Sequence, residues 1–179
     1  PDTPSVSYPT DGKNYSDIPY INYSSVDADG DSLTYQIYIN GSLNSSMVDA
    51  NLTDWNASDG YYNLTVSAND GLSSSANSSV TWFRLDSSMP TVNIIYPLDN
   101  SNINSNSIDL NASGVDSDGG SLTYFWTING TLNSTTVDGN STFNASDGYY
   151  NLTLFVSDEA QNGSDTIYFR FDTIAPSFT

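Results

Sequence analysis

Every second residue is apolar along Leu33, Tyr35, Ile37 and Ile39. In an extended strand, that spacing puts four side chains on one face. The same alternation runs through Tyr62, Leu64, Val66 and Ala68, through Phe83 and Leu85, and through Ile21 and Tyr23. It returns in the second half of the chain at Leu122, Tyr124, Trp126 and Ile128, and at Tyr150, Leu152, Leu154 and Val156. Phe169 with Phe171, and Leu110 with Ala112, complete the second set. Most positions between are polar, with Tyr38, Phe125 and Phe155 as exceptions, so each strand is expected to bury one face and wet the other. Clusters of turn-forming residues separate the strands: Asp27-Ala28-Asp29-Gly30-Asp31, Asn40-Gly41, Asp59-Gly60 and Asp70-Gly71. About seven short strands per half, with turn signals every 8–12 residues or so, predict an all-β antiparallel sandwich in each half.

The two halves are copies. Ser32-Leu33-Thr34-Tyr35 returns as Ser121-Leu122-Thr123-Tyr124, and the ten residues Asn56 to Thr65 recur unchanged at Asn144 to Thr153. Trp82-Phe83-Arg84-Leu85-Asp86 returns as Tyr168-Phe169-Arg170-Phe171-Asp172. The offset falls from 89 to 86 residues along the copy, so loops have lost a few positions. Pro4-Ser5-Val6, Pro90-Thr91-Val92 and Pro176-Ser177-Phe178 lie about one copy apart. The expected division is therefore 1–88, 89–175, and a tail at 176–179 that starts a third copy or supplies a strand to a neighbour.

Asparagine is placed unusually. Asn-x-Ser/Thr occurs at Asn14, Asn22, Asn40, Asn44, Asn51, Asn56, Asn63, Asn77, Asn111, Asn129, Asn133, Asn140, Asn144, Asn151 and Asn162, which is 15 of the 21 asparagines. Chance at this serine and threonine content gives about five or six, so the excess reads as a set of N-glycosylation acceptors. An acceptor must face solvent on a chain that has passed through a secretory route. Strand alternation agrees: if Tyr62, Leu64 and Val66 point inward, Asn63 points outward. The same holds for Asn22, Asn111 and Asn151, while Asn40 and Asn129 sit in Asn-Gly turns. Six acceptors of one copy (Asn22, Asn40, Asn44, Asn51, Asn56, Asn63) have partners in the other. Covalent N-linked glycans are thus expected as a periodic coat.

Composition narrows the function classes. A net charge of −18 with three basic residues leaves no patch to displace counterions from phosphate, which excludes nucleic acid. It also disfavours an anionic membrane surface, and no apolar run approaches the roughly 20 residues of a membrane span. There is no cysteine, so stability is expected from packing, with calcium as the candidate ion. The chain opens on Pro1 without a leader, as expected for a mature or excised segment of a secreted protein. Without His or Cys, and with Lys13 the single lysine, no nucleophile–base set is available. Repeated Asp pairs at turns read as solvated or capping groups rather than glycosidase carboxylates, so no enzyme is expected.

Two stretches per copy carry a resemblance. Asp27–Tyr35 and Asp59–Gly71, with Asp116–Tyr124 and Asp147–Asp158, resemble the immunoglobulin-like and cadherin-like (PKD-like) repeats of prokaryotic, chiefly archaeal, surface proteins. The resemblance implies two tandem immunoglobulin-like sandwiches. Asp27, Asp29 and Asp31 alternate in one turn and offer hard oxygen ligands that suit Ca²⁺; in the cadherin-like repeats a residue at the place of Asp70 joins such a site. In the second copy Gly120 stands where Asp31 does, and a turn held by Asp side chains bonding to backbone explains the same residues. Trp55, Trp82, Tyr61 and Tyr149 are candidates for stacking on sugars, whereas alternation puts Trp126 in the core. Arg84 and Arg170, at matching outward positions, are expected to form cation–π contacts or ion pairs with aspartate.

These features together predict a structural, heavily N-glycosylated extracellular repeat of a cell-surface stalk, sheath or filament. Its partners would be copies of itself, head to tail, held by linkers such as Asp86–Pro90. The competing readings are an adhesin or carbohydrate-binding module, and an accessory domain of a secreted enzyme. A fold of this kind hosts many roles and does not choose among them.

Overall fold

The computed structural model describes residues 1–53 and 55–176. The expected opening of a third copy at Ser177, Phe178 and Thr179 lies outside the described residues. All regular structure among the described residues is β. The chain divides into two compact units, Pro1–Ser87 and a second that begins at Ser88.

The first unit holds β1 (Ser5–Tyr8), β2 (Lys13–Tyr15), β3 (Tyr20–Ser24), β4 (Thr34–Ile39), β5 (Ser42–Met47), β6 (Asn51–Thr53), β7 (Gly60–Asn69) and β8 (Thr81–Leu85). The second holds β9 (Thr91–Tyr96), β10 (Ser101–Ile103), β11 (Ser107–Val115), β12 (Thr123–Ile128), β13 (Thr131–Thr136), β14 (Asn140–Asn144), β15 (Gly148–Ser157) and β16 (Asn162–Phe171). Each unit pairs a three-stranded sheet with a five-stranded one. The orders are β1-β3-β6 with β2-β8-β7-β4-β5, and β9-β11-β14 with β10-β16-β15-β12-β13. The pairing is antiparallel except for β2 on β8 and β10 on β16, which are parallel. Each unit has eight strands, where about seven are expected; β2, β6 and β10, of three residues each, are too short to show an alternation in sequence.

The alternation reads out directly as burial. Tyr35, Ile37, Leu64, Val66, Ala68, Phe83, Leu85, Ile21 and Tyr23 are buried in the first unit. Leu110, Ala112, Tyr124, Trp126, Leu152, Leu154, Val156, Phe169 and Phe171 are buried in the second. Trp126 is fully buried, as its position predicts. Aromatic rings carry much of the packing: Trp55 meets Tyr62 and Phe83 with centroids 5.2 and 5.7 Å apart. Phe143 does the same with Tyr150 and Phe169 at 5.2 and 6.3 Å. Such offset and edge contacts add to the area term of burial.

Turn chemistry sets the strand register. Asn40 and Gly41 have φ of 49° and 76°, and Asn129 and Gly130 have 48° and 76°, the left-handed pair that a two-residue hairpin needs. The Asn side chain then closes onto the next strand, because Asn63 N–H donates to Asn40 Oδ1 at 2.9 Å and Asn151 N–H to Asn129 Oδ1 at 2.9 Å. Gly163 answers a different need: a Cβ there would lie 2.0 Å from the Pro90 carbonyl oxygen, so only glycine lets β16 approach the start of β9.

Candidate functional site

The fifteen asparagines expected as acceptors all keep some exposure. Asn40, Asn44, Asn51, Asn56, Asn77, Asn129, Asn133, Asn140, Asn144 and Asn162 are exposed. Asn14, Asn22, Asn63, Asn111 and Asn151 are half-buried, and none of the fifteen is buried. Asn44 and Asn133 sit on β5 and β13, the edge strands of the five-stranded sheets. Asn51 and Asn140 open β6 and β14, the edges of the three-stranded sheets. These edges lie on the same side of each sandwich, since β5 runs straight on to β6 and β13 to β14. Some acceptors face one another across a ladder, Asn22 opposite Asn51 and Asn111 opposite Asn140. Asn111 Nδ2 donates to Asn140 Oδ1 at 2.7 Å.

The aspartate turn is built differently from its sequence outline. Asp27 and Asp70 come together: the Pro1 ammonium stands 3.0 Å from Asp27 Oδ2 and 3.8 Å from Asp70 Oδ2. That ammonium holds the Asp27 carboxyl below its usual range, with the Asp29 N–H adding to it. Backbone N–H groups of Ser73 and Leu72 do the same for Asp70. Asp29 and Asp31 are exposed, and their N–H groups point to Asp27 Oδ1 at 3.0 and 3.4 Å. These two residues therefore support the turn through backbone, the arrangement expected of an Asp-stabilised loop.

In the second unit, Asp116 and Asp158 are the counterparts of Asp27 and Asp70. Their carboxylate oxygens lie within 4.8 Å of each other. Asp116 Oδ2 accepts from Gly120 N–H at 2.7 Å, and Asp158 Oδ1 from Ala160 and Gln161 N–H at 2.8 and 2.6 Å. The second oxygen of each, Asp116 Oδ1 and Asp158 Oδ2, is buried without a hydrogen-bond partner, and Asp158 is only 1% exposed. Asp158 closes the second matched stretch in the sequence, but Asp-Gly at 70–71 becomes Asp-Glu at 158–159, and its place beside Asp116 is visible only in the fold. Burying two carboxylate oxygens unpaired is costly, and a hard cation such as Ca²⁺ is the ligand that would satisfy both.

A third feature repeats on the outer face of the five-stranded sheet. The guanidinium carbon of Arg84 lies 5.5 Å from the Tyr61 ring centroid, and that of Arg170 lies 5.2 Å from the Tyr149 ring centroid. Arg84 Nη1 also reaches Asp86 Oδ2 at 3.0 Å, and Arg170 Nη1 reaches Asp172 Oδ2 at 3.0 Å. Both expected contacts of each arginine are present. The ring comes from the adjacent strand, where Tyr61 faces Arg84 and Tyr149 faces Arg170, a pairing that needs the register. Of the proposed sugar-stacking rings, Trp82, Tyr61 and Tyr149 are exposed, while Trp55 packs against the core.

No family model matches the sequence, and no curated protein matches it. Solved structures do match the fold. Fibronectin(III)-like modules of CbhA from Clostridium thermocellum superpose with a TM-score of 0.68 at 21% identity, covering 94% of this chain and 94% of theirs. The FN1–FN3 domains of chicken CNTN1 give a TM-score of 0.52 at 9% identity, covering 95% of this chain and 67% of theirs. The chain is thus a tandem pair of immunoglobulin-like, fibronectin-III-like sandwiches. Among the described residues, no helix is long and apolar enough to cross a membrane.

Proposed function

We propose that the chain is a structural module of an extracellular tandem array, carrying N-linked glycans on a periodic set of acceptors. The observation that carries this reading is the repeated placement of acceptors at accessible positions: six pairs recur between the units, and none of the fifteen is buried. Glycans at Asn44, Asn51, Asn133 and Asn140 would stand on edge strands, which otherwise offer unpaired backbone groups to foreign chains. The function is mechanical and protective, the location is the cell surface, and the partners are copies of the same module joined in series as a stalk, sheath or filament. Intact-mass analysis of native material, before and after removal of sugars, tests it. Many occupied sites are expected, and one unmodified mass near 19.3 kDa overturns the reading.

A bound calcium ion belongs to the same proposal. The unpartnered oxygens of Asp116 and Asp158 support it in the second unit. In the first, Asp27 and Asp70 occupy the matching places. Calorimetric titration with Ca²⁺ should give binding that Asp158→Asn weakens at least tenfold. Equal heats for the two proteins remove calcium from the account and leave the turn as a backbone device.

A further inference from the structure

Four aromatic residues on the outer face of the five-stranded sheets stand outside the cores. Tyr61 is 75% exposed and Trp82 55% exposed, and Tyr149 and Tyr168 match them at 80% and 57%. The strand register decides what lies beside them. Asn63 on β7 stands directly opposite Trp82 on β8, and Asn151 on β15 directly opposite Tyr168 on β16. Opposed residues on one face of an antiparallel pair have Cβ atoms about 4.5–5.5 Å apart. Tyr61 and Tyr149 are two residues before these asparagines, on the same face, and each has an arginine guanidinium carbon 5.5 or 5.2 Å from its ring centroid. Trp82 and Tyr168 are the rings directly across the ladder from the acceptor.

The acceptor side chains suit attachment there. Asn63 and Asn151 are tied to the neighbouring turn through their backbone N–H, which leaves Nδ2 for the sugar. By contrast, the Nδ2 atoms of Asn133 and Asn140 donate to protein carbonyls. A pyranose has one face of C–H groups that is apolar and weakly positive, the complement of an aromatic face. Its hydroxyl edge stays hydrated. A sugar leaving Asn63 has Trp82 within one ring's reach. An external polysaccharide would have to displace that attached sugar first.

We infer that the first sugar on Asn63 stacks on Trp82, and the first sugar on Asn151 on Tyr168, so that these two glycans form part of the folded surface. The inference rests on the glycosylation proposed above. It makes the acceptors on β7 and β15 different in kind from Asn44 and Asn133, which lie at the register shifts of the outermost strands β5 and β13 with no ring directly opposite them.

The test uses native glycosylated protein, the sugar-free chain, and Trp82→Ala in both forms. Glycopeptide mass spectrometry first scores occupancy at Asn63 and Asn151. Trp82→Ala is then expected to lower Tm more in the glycosylated form than in the bare chain, by roughly 4 °C, the shift that one modest contact gives a domain of this size. Trp82→Tyr should restore most of the difference, and acrylamide should quench tryptophan fluorescence less in the glycosylated form. Occupied sites with equal Tm losses and equal quenching overturn the inference and leave the glycan coat standing. Empty Asn63 and Asn151 overturn both at these positions. If added free oligosaccharide protects Trp82 in the bare chain while the attached glycan does not, the shelf belongs to an outside sugar and the inference fails.

Discussion

The two units close the same hairpin by different means. In the second, β15 and β16 face each other over ten residue pairs, and only residues 158–161 join them. In the first, β7 and β8 face each other over five pairs, Gly60–Leu64 against Leu85–Thr81, and residues 70–80 intervene. The backbone groups of the outer half of β7 still need partners. Serine supplies them: Val66 N–H donates to Ser78 Oγ at 3.0 Å, and Ala68 N–H to Ser75 Oγ at 2.9 Å. In return Ser78 and Ser75 N–H donate to the Val66 and Ala68 carbonyls, each at 2.8 Å. A ladder of main chain in one copy is a ladder of hydroxyls and main chain in the other. The sandwich thus needs the hydrogen bonds of this edge, and is indifferent to which atoms make them.

The cores differ in the same spirit. The first unit buries Tyr23 from its three-stranded sheet and Ile37 from its five-stranded sheet; at the matching places the second buries Ala112 and Trp126. The large ring comes from opposite walls of the two sandwiches. Trp126→Ala is expected to have the largest effect of any single change, about 3–5 kcal/mol, because the cavity cannot collapse fully. Hydrogen exchange should place that loss in the second unit. The comparison can be broken inside the first unit. Tyr23→Ala alone should cost about 3–5 kcal/mol, and Ile37→Trp alone about 1–3 kcal/mol through overpacking. Together they should cost clearly less than their sum, since they rebuild the arrangement of the second unit. An additive double variant would show that the two rings do not fill equivalent space.

Much of this architecture is visible in the alternation of apolar residues, because a one-residue error in register would turn a whole strand's core side chains to water. Leu64, Val66, Leu152 and Leu154 are placed by that rule alone. What the pattern does not carry is anything that depends on which strand lies beside which. The Tyr61–Arg84 contact, the Asn63–Trp82 pairing and the meeting of Asp116 with Asp158 are set by register and by loop geometry between distant segments. Strands β2, β6 and β10 carry no such pattern for another reason: three residues are too few to show a period. The 70–80 segment reads as a loop from its serines, and its role as a substitute edge strand appears only when Ser75 and Ser78 are seen against β7.

That substitution gives a further prediction. Ser78 is buried, and its Oγ accepts from Val66 N–H while donating to the Ser79 carbonyl at 2.9 Å. Ser78→Ala leaves a buried backbone donor unpaired, a loss of about 1–3 kcal/mol. Exchange protection of the Val66 amide should fall sharply. The amides of the β15–β16 hairpin should keep theirs, because main chain serves that ladder. Equal loss of protection in the two hairpins would mean that the hydroxyl ladder is not a local device.

The smallest effect separates the units by pH. Burial, with Tyr35 and Asp49 adding to it, pushes the Tyr23 phenol from its ordinary 10.0 up to about 12, and its hydroxyl donates to the Asp49 carbonyl at 3.0 Å. Between pH 10 and 12 the unfolded chain gives up this proton while the folded chain keeps it. The unfolded state then binds fewer protons, so stability falls as pH rises through that window. Below pH 10 the phenol is neutral in both states and contributes no slope. The second unit has Ala112 at this place and lacks the group. Tyr23→Phe should cost about 0.5–1.5 kcal/mol near neutral pH, through the lost hydrogen bond. The same variant should flatten the alkaline fall of the first unit relative to the parent chain. An alkaline slope that survives Tyr23→Phe unchanged would place the sensitivity elsewhere and leave Tyr23 as a packing residue only.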